Sequence, residues 1–314
     1  SELSMNRSLP TNSIPGQTLC ICPLSLVGFI RVDGTDAEDF LHGQLSQDLR
    51  ALSPNNAPLA AWHSAAGRVR AIFRVLRMNE GWLLVTERDL VASVTADLQK
   101  YVLRADVSLR DAGDRWQATA LLGDSDRWLE QHQIGLGADA GQRVIVGGLS
   151  WLRLGPRLVH AIGPASSIDE LAGELPRGTS DDVSLAEIAL GLPRLTPELQ
   201  DRFIPQMLNL DLLGALDENK GCYPGQEIIA RTQNLGAVKR RMFRFSGDLN
   251  SIPEAETVIR DAAGTVVGDI IRSSETTKSR EILAVTRLDS LDGKLVSEAE
   301  PNVALRREPL PYEA

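Results

Sequence analysis

The sequence predicts an α+β protein that closes with a small antiparallel β barrel or sandwich. Three observations carry that expectation. Strand-like and helix-like apolar patterns alternate through residues 19–190. From Val238 onward only short candidate strands remain, separated by Gly247, Gly264 and Gly293. The chain has 314 residues, 43% of them apolar and 24% charged, which is enough for two or three domains with a sizeable core.

The elements follow in order. Residues 19–32 read as a strand region that ends at Asp33-Gly34, and Thr35-x-x-Glu38 has the form of a capping box. The helix behind it sets Phe40, Leu41, Gln44 and Leu45 on one face and ends in Ser46-Gln47-Asp48, where Gln44 and Asp48 are candidate ligand groups. Strands are expected over 59–62, 68–76 and 82–86. In the second, Val69, Ala71, Phe73 and Val75 share one face, while Arg68, Arg70, Ile72, Arg74 and Leu76 share the other. Three arginines on one face either line an anion-binding cavity or form a solvated surface. Leu90, Val94 and Leu98 stripe a helix. Strands near 107–109, 116–122, 144–146, 152–154 and 158–162 surround a short helix over 126–133. A further helix over 184–190 is stopped by Gly191 and Pro193. Candidate barrel strands lie at 239–245, 257–260, 265–271 and 282–285, and Pro309-Leu310-Pro311 reads as an extended tail. This divides the chain into a loose N-terminus over 1–18, an α+β body over 19–235 and a β domain over 236–314.

Composition narrows the function classes. A net charge of -9 argues against a surface built wholly to clamp nucleic acid. Cys20, Cys22 and Cys222 are too few for a disulfide framework, and the first two sit in an apolar run as packing residues. His42, His63, His132 and His160 are scattered, so no protein-only zinc site is expected. GxGxxG and GxxxxGK[ST] are absent. The first eighteen residues lack the marks of a signal or transit peptide, and no apolar run reaches membrane-spanning length. A cytoplasmic location without membrane contact is the expectation.

The densest chemistry lies in Lys220-Gly221-Cys222-Tyr223-Pro224-Gly225-Gln226-Glu227, a loop shaped by two glycines and a proline ahead of a short helix. A thiol placed between an ammonium and a helix N-terminus is favoured as the reactive thiolate. Lys220 therefore has two candidate roles, thiolate partner or ligand for an anionic tail. Glu227 and Arg231, four residues apart, also suit a structural pair. Beyond them Arg231, Lys239, Arg240, Arg241 and Arg244 run without an acid, a local reversal of sign that would draw an anionic tail, a phosphate or RNA.

The loop resembles the signature of the YgfZ family of folate-binding proteins, relatives of the glycine cleavage T-protein, an aminomethyltransferase. Supporting matches are the run from Asp39 to Asp48, Tyr101-Val102-Leu103-Arg104, Gly191-Leu192-Pro193 and Phe203-Ile204-Pro205-Gln206-Met207. The resemblance implies a ring of three units around a central cavity, two interleaved α+β subdomains and the C-terminal antiparallel barrel. It implies tetrahydrofolate in that cavity and a role in iron–sulfur cluster assembly or repair in client enzymes, including tRNA-modifying ones. On this reading Cys222 and Lys220 carry the chemistry. Gln44, Asp48, Arg68, Arg70, Tyr223, Gln226, Glu227 and Arg231 bind the cofactor. No metal is held. The aminomethyltransferases carry an acidic pair where this chain reads Gly67-Arg68-Val69-Arg70-Ala71-Ile72. That departure tells against a one-carbon transferase, and the acidic balance tells against RNA binding beyond a weak tRNA contact.

Overall fold

A computed structural model describes residues 18–171, 173, 175–235, 238–276 and 279–312. Of the expected loose N-terminus over 1–18, residues 1–17 lie outside the described residues, as does Gly236 of the expected domain boundary near Leu235-Gly236.

In chain order the elements are β1 (Cys20–Pro23), β2 (Val27–Asp33), α1 (Ala37–Gln44), β3 (Leu59–His63), β4 (Val69–Arg77), β5 (Trp82–Glu87), α2 (Val91–Gln99), β6 (Ser108–Asp111), β7 (Trp116–Leu122) and α3 (Asp126–Gln131). Then come β8 (Arg143–Val146), β9 (Leu149–Gly155), β10 (Leu158–Pro164), α4 (Ala165–Leu171), α5 (Ser180–Ala189) and α6 (Gln226–Leu235). The last run is β11 (Arg240–Gly247), β12 (Val258–Arg260), β13 (Val266–Glu275), β14 (Arg280–Arg287), β15 (Leu295–Ser297) and β16 (Glu300–Glu308).

These strands make three bodies. One sheet has the order β3-β4-β5-β2-β6 and a second the order β1-β7-β10-β9-β8, while β11-β14-β13-β12-β15-β16 close an antiparallel barrel. The two sheets interleave, because β1 belongs to the second sheet and the chain builds the first before it returns. The alternation read in β4 is real: Val69, Ala71, Phe73 and Val75 are fully buried beside α1 and α2 in a cluster that reaches Met242, Leu283 and Val285 of the barrel. A second cluster joins Leu76, Leu83 and Val85 of the first sheet to Leu122, Leu152 and Leu158 of the second and to Val183 of α5. The three bodies thus share core. Burying one such side chain is worth about 1.5–3 kcal/mol, so separating the bodies would expose a large apolar area.

Three local expectations change. Thr35 does not cap α1. Its N–H and hydroxyl both donate to Asp106 Oδ2 (3.0 and 2.8 Å), and Asp36 takes the cap position without a side-chain bond to the helix, its carboxylate accepting the Asp106 N–H instead (2.8 Å). Helix α5 starts four residues earlier than its apolar pattern suggests, because Thr179 and Asp182 form a reciprocal capping box. Strands β15 and β16, unmarked in the pattern, complete the barrel. The tail read as extended at Pro309-Leu310-Pro311 is also docked, because Tyr312 donates its hydroxyl to Gly191 O at 2.6 Å.

Asn209 joins the body to the barrel. It is fully buried at φ +56° and donates its side-chain N–H to Met242 O of β11 at 2.7 Å. Asn209→Ala strands a buried carbonyl and puts alanine in the left-handed region, a loss of about 3 kcal/mol. Urea unfolding should show the midpoint fall accordingly. A wild-type midpoint would exclude this joint.

Candidate functional site

Two polar centres stand out. The first is the loop over residues 219–227. Asp217 Oδ1 accepts the backbone N–H of Asn219 (2.8 Å) and of Lys220 (3.1 Å), which fixes the entry. Lys220 is buried at 7% exposure. Its ammonium donates to the carbonyls of His42, of Leu45 (2.5 Å) and of Gln47 (3.1 Å), at and just beyond the C-terminal end of α1. Burial pushes it down to about 8, against the pull of Asp48 and Asp217. The Tyr223 ring lies under the ammonium at 5.2 Å and beside His63 at 5.8 Å, and burial lifts its phenol to about 12. Gly225 sits at φ +78°, where a Cβ would come within 2.6 Å of Gly67 Cα, so only glycine lets the loop rest on the β3–β4 turn. Cys222, between these anchors, is exposed.

The other expected ligand residues separate into groups. Gln44 Oε1 accepts from Trp62 Nε1 (3.4 Å), and Arg70 stacks over Trp62 at 5.2 Å, with Tyr101 edge-on at 6.3 Å. Arg70 is also paired to Asp201 (3.1 Å) and approached by Asp97 (4.0 Å). Arg68 donates to Arg202 O (3.0 Å). Asp48 is a turn cap. Burial opposes its charge, but the N–H groups of Ala51 and Arg50 outweigh that and hold it below the usual carboxylate range. Gln226 is half-buried. Glu227 and Arg231 are exposed, and among the described residues no ion pair joins them. Trp62, Asp97 and Asp201 complete this rim without having been singled out in the sequence, and Tyr101 was marked there only as part of a family match.

The second centre is a cavity of about 100 Å³ where the three bodies meet. Ile72, Leu152, Leu154, Ile162 and Leu195 supply apolar wall; Arg74, Glu87, His160, Glu187 and Arg272 supply charge and polarity. Glu187 of α5 binds Arg272 of the barrel (2.8 Å) and lies 4.0 Å from Arg194 and 3.8 Å from His160. Arg194 also reaches Glu87 of β5 at 2.9 Å. Burial raises Glu87 to about 7, in spite of Arg194 and Arg272. It pushes His160 down to about 4, so that imidazole is neutral. Glu187 stays below its usual range: burial opposes the charge, but Arg272 and Arg194 outweigh it. His160 Nε2 and Arg272 Nε find no hydrogen-bond partner among the described residues. Paired acceptors and unused donors around a small apolar-walled space suit a flat polar heterocycle.

None of the expected site residues lines this cavity. The arginine face of β4 does contribute to it, but through Arg74 rather than Arg68 or Arg70. Glu87, His160, Glu187 and Arg272 were missed. The one signal they offered was a charged or polar residue interrupting an otherwise buried strand, as at Arg272 in β13.

The basic stretch is neutralised in space at three of its members, while Arg231 and Lys239 are exposed. Arg240, Arg241 and Arg244 pair with Asp269 (3.6 Å), Asp211 (2.8 Å) and Glu281 (2.9 Å). Cys20 and Cys22 pack with sulfurs 3.7 Å apart, and burial pushes Cys22 up to about 12. Among the described residues no cluster of three His, Cys, Asp or Glu side chains is placed to hold a metal, and no helix is long and apolar enough to cross a membrane.

No protein-family model matches the chain. An uncharacterized protein of Haemophilus influenzae is 31% identical over 273 residues, 85% of this chain and 83% of its own length. The tRNA-modifying protein YgfZ of Klebsiella pneumoniae is 30% identical over 303 residues, 90% of this chain and 89% of its own length. The protein of that name from Colwellia psychrerythraea is 28% identical over 278 residues, 86% of this chain and 85% of its own length. Among solved structures, the glycine cleavage system aminomethyltransferase T of Bartonella henselae superposes with a TM-score of 0.74 at 16% identity, over 93% of this chain and 86% of its own. At that identity the likeness establishes the fold: two interleaved α+β units and a barrel, as expected.

The cavity predicts a pH dependence. Folded Glu87 keeps its proton up to about 7, whereas unfolded Glu87 loses it near 4.5. The folded state therefore binds more protons in that window. Its contribution is full below 4.5 and lost as pH rises through 7, a change of about 3 kcal/mol at most. Unfolding free energies of wild type and Glu87→Gln, compared from pH 4.5 to 8, should show the variant gaining on wild type as pH rises. A constant difference would contradict the raised carboxyl.

Proposed function

The chain belongs to the YgfZ family of tRNA-modifying proteins, and on that premise we propose that it is a tetrahydrofolate-binding accessory protein. It serves iron–sulfur cluster assembly or repair in client enzymes, tRNA-modifying ones among them, and works in the cytoplasm. The folate-binding region spans 19–235 and the barrel domain 236–314.

The observation that carries the reading is the cavity at the three-body junction, in a chain with the aminomethyltransferase T fold. Its polar groups fit a reduced pterin. The Glu187 carboxylate and the carbonyl oxygen of the Glu87 carboxyl accept N–H groups of an aminopyrimidine edge, and Arg74 and His160 donate to its carbonyl oxygen. The unpartnered His160 Nε2 supports this assignment. Bound tetrahydrofolate supplies a nitrogen that can carry one-carbon units. Cys222, exposed on a loop braced from both sides, supplies a thiol to a client or a transferred group. One thiol cannot hold a cluster alone, so any cluster contact is transient.

Aminomethyl transfer is the weaker alternative. The stretch from Gly67 to Ile72 offers Arg70 where a carboxylate would act, and the acids there, Asp97 and Asp201, face that arginine. RNA binding as the main role is weaker still, because Arg240, Arg241 and Arg244 of the stretch that suggested it are already paired with acids.

Isothermal titration with tetrahydrofolate tests the cavity. Wild type and Cys222→Ala should bind alike. Arg74→Met and Glu187→Gln should each weaken binding at least tenfold, about 1.4 kcal/mol, with thermal melts confirming that both are folded. Unchanged affinity in folded Arg74→Met would place the ligand elsewhere, and absence of binding by wild type would remove folate from the account.

A further inference from the structure

We infer that Lys220 is a positioning residue, a buried cation that ties the thiol loop to the C-terminal end of α1, and is not the chemical partner of Cys222. The inference rests on the reading that Cys222 is the working group of the loop.

A helix ends with carbonyls that lack intrahelical partners, and a cation there is favoured by the helix dipole. Helix α1 leaves into extended backbone at Leu45 (φ -99°, ψ 157°), without a glycine turn to satisfy those groups. Lys220 fills the gap from 178 residues away in sequence, counted to His42. An ammonium has three N–H donors and no acceptor. All three are used, on the carbonyls of His42, Leu45 and Gln47, so none is left for a thiolate or a ligand carboxylate. The Tyr223 ring covers the ammonium from another side.

The surrounding bonds serve the same junction. Ser46 Oγ donates to Ala215 O (2.6 Å), and Asp217 N–H donates to Ser46 O (2.8 Å). Gln47 Nε2 donates to Leu59 O (3.0 Å) and Gly214 O (2.9 Å). The segment after α1 and the segment before the loop are laced together, and Lys220 is the charged member of that lacing. Cys222 follows it by two residues and precedes the buried Tyr223, so its position is set from both sides. The last residue of α1, Gln44, holds Trp62. Lys220 therefore also fixes the loop relative to the rim of Trp62, Arg70 and Tyr101.

Two measurements on full-length wild type, Lys220→Met and Lys220→Arg separate positioning from thiol activation. The first is amide hydrogen exchange over residues 42–47 and 217–223. The second is the pH profile of iodoacetamide alkylation at Cys222, located by peptide mapping because Cys20 and Cys22 are buried. Positioning predicts at least tenfold faster exchange in both segments of Lys220→Met and no displacement of its alkylation profile. Lys220→Arg should fall between the two, since it keeps the charge but misplaces the donors. A profile moved up by about one pH unit or more, with exchange unchanged, would make Lys220 the thiolate partner and overturn the inference. If Lys220→Met does not fold, Lys220→Arg decides: wild-type exchange contradicts positioning. The underlying reading fails separately, if Cys222→Ala restores iron–sulfur enzyme activity fully in cells lacking such a protein. That result leaves the exchange data untouched.

Discussion

The structure depends on a buried charge that no single body can satisfy. Glu187 projects from α5 and is compensated by Arg272 of the barrel and by Arg194 of the connecting segment, with His160 of the second sheet close by. An isolated carboxylate in such a place costs several kcal/mol, and removing one partner of a buried pair is more damaging than never having it. The first sheet, the second sheet and the barrel must therefore meet in one register for α5 to be tolerated. Apolar clusters provide the driving force for that meeting, and the ion network selects its geometry. The same network leaves donors and acceptors around a small space, which is why the joint and the proposed ligand site coincide.

A second constraint acts at the other end of β4. Gly67, in the turn ahead of the strand, lies against Gly225 and Ile228, while Arg74 lies at the cavity. Within β4, the five steps from Val69 to Arg74 span about 17 Å. The thiol loop and the cavity are thus two stations on one rigid element, not one pocket. That arrangement suits an accessory protein better than a transferase. A transferase needs nucleophile, acid and substrate within bonding reach, whereas an accessory protein can hold a cofactor inside and present a thiol outside.

How much of this was legible follows from the range of each signal. The alternation in β4, the stripe of α2 and the glycine-punctuated barrel are local patterns, and they were read correctly. The loop of Cys222 stood out because its chemistry is contiguous. Thr35 misled because its partner, Asp106, is 71 residues away and outcompetes the helix end. The pairing of Arg240, Arg241 and Arg244 was not legible, because Asp269, Asp211 and Glu281 reach them only in the fold. Lys220 looked like a neighbour of Cys222 in chemistry because it is one in sequence, yet its side chain faces α1. Of the cavity lining only Arg74, on the arginine face of β4, was legible, since Glu87, His160, Glu187 and Arg272 form no motif at any spacing.

The most direct test of the account is an experimental structure of the protein with tetrahydrofolate bound. The account predicts the pterin ring in the central cavity, with its aminopyrimidine edge between Glu187 and Arg74 and a hydrogen bond to His160 Nε2. A ring stacked instead on the rim of Trp62, Arg70 and Tyr101, with the cavity network unchanged, would contradict it.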